Sequence, residues 1–457
     1  MIIFRIVFTM TIDRGFLEIW KDIAPHAFTA EIPFEPTTAF LDGQLHLMRA
    51  SFMNTWEVFL DVQFINPLNR LFWWGATTVV LSFDNYKFTP TAKQPTQRRR
   101  TTKIPKLEWN EQVCLPARIP DNYEQLIMNR VFKARVCQHV VANVPGLLDL
   151  RNGRRLIVDY NDGSLEFTEG NMEPTRIFQE HELGESDVKF AAYLKDSDSF
   201  LADSIDGDYV VIAAMQLEKA KQMGGKIPDV AVRRIAMQPK AQKRLITGAA
   251  VPHRTRQYEF VHVNLLVESL QRWVASHCML GKEFIGHEIR LISFLVALVG
   301  CDFTNGLPRV GPKTVWQKLP TIWKPLQKAF NHDKNEFCVA DVGNGVLTTL
   351  LCAINRKHVH GKTERLEQLV TSLRTSPTLQ TSIKEKVPTV HELACLVRNS
   401  NWVLHYWWDA SLPSRDASKH YGFVQNRNGN TERDPKSALQ DAERELSHAS
   451  GDGNCSE

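Results

Sequence analysis

The chain has 457 residues, of which 43% are hydrophobic and 23% are charged, and its formal net charge is +4. This is the composition of a globular protein with room for one large core or two ordinary ones, and so small a net charge indicates no particular class of partner. The eight cysteines are scattered without a Cys-x-x-Cys pair, which argues against a zinc site or a disulfide framework. No run approaches the roughly 20 apolar residues that cross a bilayer, so we expect no membrane segment.

The first hundred residues contain two predicted helices and two predicted strands, and each strand ends in an aspartate. The second helix follows the first strand and carries Leu45, Met48 and Phe52. Residues 15–22 have the pattern of a short amphipathic helix, and residues 37–42, TTAFLD, have that of a strand. Residues 76–84, ATTVVLSFD, form a continuous run of apolar and β-branched side chains. Such a run is typical of a parallel strand that is covered on both faces. A basic stretch without any acidic residue follows at 87–106.

The middle of the chain alternates predicted helices and strands. We expect a helix near 121–142, a hairpin with an Asp-Gly turn at 154–167 and a helix over 184–196. For residues 199–216 the pattern predicts a strand, an acidic loop and a second strand. This alternation is typical of an α/β fold with a mostly parallel central sheet flanked by helices.

The rest of the chain is first basic and then mainly helical. Residues 218–256 hold ten Lys or Arg against two acidic residues, and they look like an insertion. Helices are predicted over 262–275 and 286–300. A mainly helical region follows at 331–425, and the polar tail at 426–457 is predicted to be disordered.

Seven acidic residues stand at the ends of these predicted elements. They are Asp42, Asp84, Glu185, Asp187, Asp206, Asp208 and Asp302. Each of them, taken singly, would also suit a helix cap or a turn. Ligands of open α/β sheets bind beyond the carboxyl ends of the strands, so the joint pattern indicates one shared site. Oxygen ligands without Cys or His favour Mg²⁺ or Mn²⁺ over zinc, and two such ions about 4 Å apart can promote phosphodiester hydrolysis.

Six stretches of the chain carry a resemblance to a known family. They are residues 10–27, 40–52, 79–99, 184–194, 203–211 and 295–315. The last, LVALVGCDFTNGLPRVGPKTV, is the most specific, because it is similar to a Gly-Cys-Asp-aromatic metal ligand that leads into a helix–two-turn–helix. The chain thus resembles the flap endonuclease/XPG family of structure-specific 5′-nucleases. The resemblance implies a PIN-like core and hydrolysis of branched, flapped or nicked DNA that leaves a 5′-phosphate and a 3′-hydroxyl.

The resemblance also implies roles for individual residues. The seven carboxylates match the family's ligands for two Mg²⁺ ions, for which Mn²⁺ can substitute. Arg98 matches the arginine near the scissile phosphate, and Lys93 matches its companion lysine although it stands about two residues from the expected place. A monovalent cation is implied at the helix–two-turn–helix. The implied nucleic-acid contacts are Arg99, Arg100, Gly306, Gly311 and Lys313.

Partner, location and activity follow from the same resemblance. The implied partner is DNA, with RNA as an alternative, and the implied location is the nucleus, with the mitochondrion as an alternative. The tail contains no clear sliding-clamp-binding box. Two other functions stay open: a non-catalytic member of the same fold that binds nucleic acid or protein, and a haloacid-dehalogenase-like phosphatase built on DGDYV at 206–210.

The resemblance divides the chain into six regions. They are an N-terminal extension at 1–9, the first part of the nuclease core at 10–100, a variable arch or insert at 101–183, the internal part of the core at 184–330, a helical region at 331–425 and the tail at 426–457. The internal part includes the basic insert 218–256 and the helix–two-turn–helix 286–325. The arch region is longer than a minimal helical arch and contains the predicted hairpin, and in this it departs from the family pattern for strict threading of a free 5′ flap.

Overall fold

The structure is a computed structural model, and its described residues fall into two units. It describes residues 13–48, 53–84, 109, 114–160, 163–179, 186–235, 258–301, 304, 306, 307, 309–353, 365–377, 379–408, 423–425 and 431–433. One unit takes the described residues within Ala24–Leu266 and Trp407–Ser414. The other takes those within Met1–Ile23, Val267–Tyr406 and Arg415–Glu457.

A nine-stranded β-sheet forms the centre of the first unit. Its strands are β1 (Phe28–Thr29), β2 (Thr38–Asp42), β3 (Thr78–Ser82), β4 (Arg155–Tyr160), β5 (Gly163–Thr168), β6 (Asn171–Gln179), β7 (Ser199–Asp203), β8 (Asp229–Ile235) and β9 (Tyr258–His262). They are ordered β1-β9-β8-β7-β2-β3-β4-β5-β6. The five central strands, β8 to β4, are parallel, and the outer strands on each side pair antiparallel. The predicted α/β class with a parallel central sheet is confirmed.

Helices cover both faces of this sheet. The first helix of the chain, α1 (Asp13–Ile23), belongs to the other unit. One face of the sheet carries α2 (Gly43–Leu47), α3 (Trp56–Leu60), a π-helical segment (Asp61–Ile65), α4 (Asn66–Trp73), α5 (Tyr123–Leu126) and α6 (Arg130–Leu147). Their apolar side chains form one buried cluster with Leu41, Leu81 and Leu201 of the sheet. The opposite face carries α7 (Ser186–Leu194) and α8 (Asp208–Gln222), and Phe190 of α7 stacks on Tyr209 of α8 with ring centroids 5.0 Å apart. All five residues of β3 are buried, which explains its unbroken apolar sequence.

The C-terminal half is mainly helical, as predicted. Its elements are α9 (Val263–His277), a 3₁₀ turn (Lys282–Phe284), α10 (Glu288–Val299), α11 (Pro312–Ala329), β10 (Phe330–Asn331), β11 (Glu336–Phe337), α12 (Val339–Asp341), a π-helical segment (Val342–Leu347), α13 (Thr348–Cys352), α14 (Leu366–Thr375), α15 (Thr381–Lys384), α16 (Val390–Trp408), β12 (Phe423–Gln425) and β13 (Thr431–Arg433). None of the described helices is long and apolar enough to span a membrane.

The second strand predicted within 199–216 is wrong, because α8 occupies its place. The run Val210-Val211-Ile212 suggests a strand by propensity. Every residue from Asp208 to Glu218 is nevertheless buried, so this is a helix covered all round rather than one with a single apolar stripe. Lys219 and Lys221 in the last turn suit the negative end of the helix dipole.

Three region boundaries also need correction. Residues 218–222 end α8 and residues 229–235 form β8 inside the parallel sheet, so this part of the predicted basic insert 218–256 belongs to the core. The predicted hairpin is confirmed as β4 and β5, but β4 pairs parallel with β3, so that part of the arch region 101–183 belongs to the sheet. The tail predicted to be disordered contains β13, which pairs with β12 through backbone hydrogen bonds. The rest of the insert and of the tail lies outside the described residues.

Candidate metal centre

The strand order changes direction between β7 and β2. From β2 the sheet continues through β3 and β4 on one side, and from β7 it continues through β8 on the other. In open parallel sheets, the crevice beyond the carboxyl ends of the strands at such a switch point is the usual ligand site. Asp42 is the last residue of β2, and Asp206 follows the end of β7 by three residues. These two predicted ligands therefore lie at the favoured edge of the sheet.

Asp42 joins the end of β2 to the turn that follows β7. Its Oδ1 accepts a hydrogen bond from the backbone N–H of Gln44 at 3.1 Å, and its Oδ2 accepts one from the Ser204 hydroxyl at 3.1 Å. Ser204 comes directly after β7 and is fully buried. Gly43 allows β3 to come close, because a Cβ at this position would lie 2.8 Å from the Ser82 carbonyl oxygen. The bend after β2 is thus packed tightly between its neighbours.

Asp84 meets the first turn of α7. It lies two residues after β3, and its Oδ1 accepts a hydrogen bond from the backbone N–H of Ser186 at 3.0 Å. The next residue, Asp187, is buried with 7% exposure. Acidic residues at a helix N-terminus are favoured by the helix dipole, so these two carboxylates also have an ordinary structural role. The hydrogen bond brings the predicted ligands Asp84 and Asp187 to the same corner of the fold.

Asp206 and Asp208 lie in the turn from β7 into α8. Asp206 Oδ1 accepts a hydrogen bond from the backbone N–H of Asp208 at 3.2 Å. The backbone N–H of Asp206 donates to the Ser204 hydroxyl at 3.2 Å, and that hydroxyl donates to Asp42. A continuous hydrogen-bonded path therefore joins three of the predicted ligands.

The carboxylates at this edge lie near enough to repel one another. Burial, followed by the charges of Asp84 and Asp206, raises the pKa of Asp42 to about 7. Burial and then the charges of Asp42, Asp187 and Asp84 raise the pKa of the Tyr209 hydroxyl. A bound cation relieves such repulsion. The donors are all oxygens, which is the ligand chemistry that Mg²⁺ prefers, so the side chains present fit a hard divalent cation.

Complete metal ligation is not seen among these residues. Within the part of the chain that the structure describes, no three His, Cys, Asp or Glu side chains are grouped so that they could hold a metal ion. Several predicted site residues lie outside that part: Lys93, Arg98, Arg99, Arg100, Glu185 and Asp302. The binding of two ions by the seven carboxylates therefore stays a prediction.

The raised pKa of Asp42 predicts how the metal-free protein responds to pH. Because the folded state holds this proton more tightly than an unfolded carboxyl of ordinary pKa 3.8, the contribution of Asp42 to stability falls as pH rises from about 4 to about 7. Asp42→Asn lacks this penalty and should be more stable than wild type at pH 8 by up to about 4 kcal/mol, roughly 10 °C in Tm. The two proteins should converge near pH 4. Thermal unfolding in EDTA measures this, and a wild type that is the more stable at pH 8 would contradict it.

A second buried polar cluster supports the corner that holds Asp84 and Asp187. The ammonium of Lys189 is 1% exposed, and it donates to Asp159 Oδ1 at 2.7 Å and to the carbonyl oxygen of Phe83 at 2.9 Å. The Tyr193 hydroxyl donates to Asp159 Oδ2 at 2.7 Å and lies 2.5 Å from the Ser164 hydroxyl. These bonds tie α7 to β4, β5 and the end of β3. The cluster thus holds in place the two elements that carry Asp84 and Asp187.

The loop between α10 and α11 contains the predicted phosphate contacts Gly306, Gly311 and Lys313. Gly306 has a φ of 66°, and a Cβ there would lie 1.7 Å from the carbonyl oxygen of Val299, so the turn itself requires glycine. Gly311 is the N-cap of α11 with open space around it, and Lys313 is exposed in the first turn. Arg309 is exposed as well, with a φ of 62°, and sequence reasoning missed it. The loop presents two cations beside the amides of a helix N-terminus, an arrangement that favours anions.

Only weak patterns in the sequence indicated the residues that hold the predicted metal ligands in place. Ser204 lies two residues before Asp206, and Lys189 lies two after Asp187. A lysine inside the otherwise apolar helix VKFAAYL could have been noticed as an exception. Its partner Asp159 was not identifiable, because the two residues are 30 positions apart.

Comparison with known protein-family models gave no match to this chain, and comparison with curated protein sequences found no significantly similar protein.

Proposed function

We propose that this protein is a metal-dependent, structure-specific 5′-nuclease with a PIN-like core that hydrolyses phosphodiester bonds in branched, flapped or nicked DNA. The observation that carries the proposal is that Asp42, Asp84 and Asp206 lie at the carboxyl ends of neighbouring parallel strands, where burial and then the charges of Asp84 and Asp206 raise the pKa of Asp42 to about 7. The motif resemblance supplies the class of substrate.

The divalent cations and the protein would have different parts in the reaction. Divalent ions held by the carboxylates would supply an activated water and neutralise charge on the phosphate. The protein must keep its carboxylates at fixed positions, which is the role of the hydrogen bonds from Ser204 to Asp42 and from Ser186 to Asp84. Lys313 and Arg309 would attract the duplex through phosphate contacts, which carry no base specificity and weaken with salt.

The direct test is a panel of 5′-end-labelled substrates with the full chain: single strand, nick, 5′ flap, bubble, four-way junction and RNA–DNA hybrid. We expect cleavage of at least one branched or nicked substrate in Mg²⁺ or Mn²⁺, none in EDTA, and binding without cleavage in Ca²⁺. The products should carry a 5′-phosphate and a 3′-hydroxyl.

The other outcomes distinguish the alternatives. Binding of the panel without cleavage in any divalent metal would contradict the enzymatic proposal and favour a non-catalytic nucleic-acid-binding protein. Turnover of p-nitrophenyl phosphate without any nuclease activity would favour a phosphatase instead.

A further inference from the structure

A cavity of about 180 Å³ lies within the sheet-containing unit. It is beside the carboxylate cluster, which consists of Asp42, Asp84 and Asp206 at the ends of the parallel strands. Its walls come from α2, the π-helical segment, α4 and the ends of β7 and β8. His46 of its lining follows Asp42 by one helical turn, and Ile205 immediately precedes Asp206. The cavity therefore adjoins the candidate metal centre without containing any of its predicted ligands.

Two arginines share a single carboxylate in this cavity. Arg233 Nη1 donates to both oxygens of Asp203, at 2.7 and 2.9 Å, and Arg70 Nη2 donates to Oδ2 at 2.9 Å. Asp203 and Arg233 are side by side on adjacent parallel strands. Burial opposes ionisation of Asp203, but the charges of Arg233 and Arg70 outweigh it and lower its pKa, so the carboxylate is ionised. The three side chains together carry one excess positive charge.

One hydrogen-bond donor of Arg70 is unused. Its Nε is buried and has no hydrogen-bond partner in the part of the chain that the structure describes. The side chain as a whole is 34% exposed, so a molecule from solvent can reach it. A buried N–H without an acceptor is costly, so this guanidinium gains from any small shift that lets an incoming oxygen pair with it.

Aromatic rings hold both guanidinium groups in place. Arg233 lies 3.7 Å from the centroid of the Tyr258 ring, and Arg70 lies 5.2 Å from that of Trp74. Stacking of this kind favours arginine over lysine and orients its donors before a ligand arrives. Preorganised guanidinium groups are suited to binding oxyanions through paired hydrogen bonds.

The size of the cavity restricts what can enter it. A volume of about 180 Å³ is room for roughly six water molecules, and it is smaller than the roughly 300 Å³ at which drug-sized pockets begin. The cavity can thus hold the end group of a larger molecule but not the whole of a nucleotide. Gln63 and His46 add polar walls to the arginines.

We propose that this cavity binds a phosphate monoester group through Arg70 and Arg233. Two sources share this chemistry, a free mononucleotide and the 5′-terminal phosphate of a nucleic-acid strand, and the second source rests on the proposed nuclease function. A strand end held here would lie next to the carboxylate cluster. The pocket would then recognise 5′-phosphorylated ends.

The test titrates inorganic phosphate and adenosine 5′-monophosphate into the full chain in EDTA, with isothermal calorimetry and thermal shift as readouts. We expect both to bind wild type, and adenosine and succinate not to bind. Arg70→Gln should weaken phosphate binding at least about 10-fold, since a charged hydrogen bond is lost. Arg135→Gln, at an exposed arginine of α6, is the matched control and should bind like wild type.

A second variant separates loss of phosphate binding from misfolding. Arg70→Lys keeps a cation against Asp203 and removes the Nε donor, so it should retain the wild-type Tm and still bind phosphate more weakly. Oligonucleotides with a 5′-phosphate or a 5′-hydroxyl then separate the two sources. Arg70-dependent preference for the phosphorylated strand indicates the strand end, and its absence alongside mononucleotide binding indicates the free nucleotide.

Three results would overturn the proposal: no phosphate binding, phosphate binding that Arg70→Gln leaves unchanged, or equal binding of succinate. These measurements need neither metal nor cleavage. A protein that cuts no substrate can therefore still satisfy them, and an active nuclease can fail them.

Discussion

Asp42→Asn and Asp84→Asn should each slow cleavage of the best substrate by at least about 10²–10³-fold in Mg²⁺, while leaving its affinity in Ca²⁺ close to that of wild type. Each change removes one negative charge from the cluster at the end of the parallel strands. The Asn carbonyl oxygen can still accept the backbone N–H of Gln44 or of Ser186, so the local fold should persist. Loss of activity would then report lost cation binding rather than unfolding.

Single-turnover cleavage with enzyme in excess is the appropriate measurement, because it separates chemistry from binding and product release. Asp196→Asn is the matched control: it makes the same chemical change at an exposed residue just beyond α7 and should cut at the wild-type rate. If both cluster variants cut as fast as this control, the carboxylates do not serve the reaction and the proposed centre is wrong.

Lys189→Met should destabilise the protein by about 3–5 kcal/mol. The side chains of Lys189 and Asp159 are 1% and 0% exposed, and removing the ammonium leaves a buried carboxylate without its counter-charge. The hydrogen bond from Tyr193 to the other carboxylate oxygen does not replace that charge. For a unit of this size the loss corresponds to a decrease in Tm of roughly 10 °C.

Thermal and urea unfolding of two further variants test this account. Lys195→Met, at an exposed lysine that follows α7, should change stability by less than about 0.5 kcal/mol. The double variant Lys189→Met/Asp159→Asn removes both charges and should recover much of the loss, since a buried pair replaced as a whole is often nearly neutral. Equal stability of Lys189→Met and Lys195→Met would show that the buried pair has no such role.

Sequence patterns located the ends of the central strands well, because strand character is a local property. The apolar runs before Asp42 and Asp84 predicted β2 and β3. Because ligands bind beyond the carboxyl ends of such strands, both aspartates were predicted as metal ligands of one site. The same local reasoning failed at 208–216. There a helix is buried on every side by what packs on it, and the sequence carries no direct sign of that packing.

The sequence by itself determined the α/β class, the placing of acidic residues at element ends and the glycine-rich loop after α10, since each depends on periodicity and residue type over a short window. Only the tertiary structure decided which residues meet. Ser204 reaches Asp42 across 162 positions, Arg70 reaches Asp203 across 133, and β4 joins β3 from a segment expected to stand apart. Contacts at such separations are selected by the burial and pairing of the whole chain, and no short stretch encodes them.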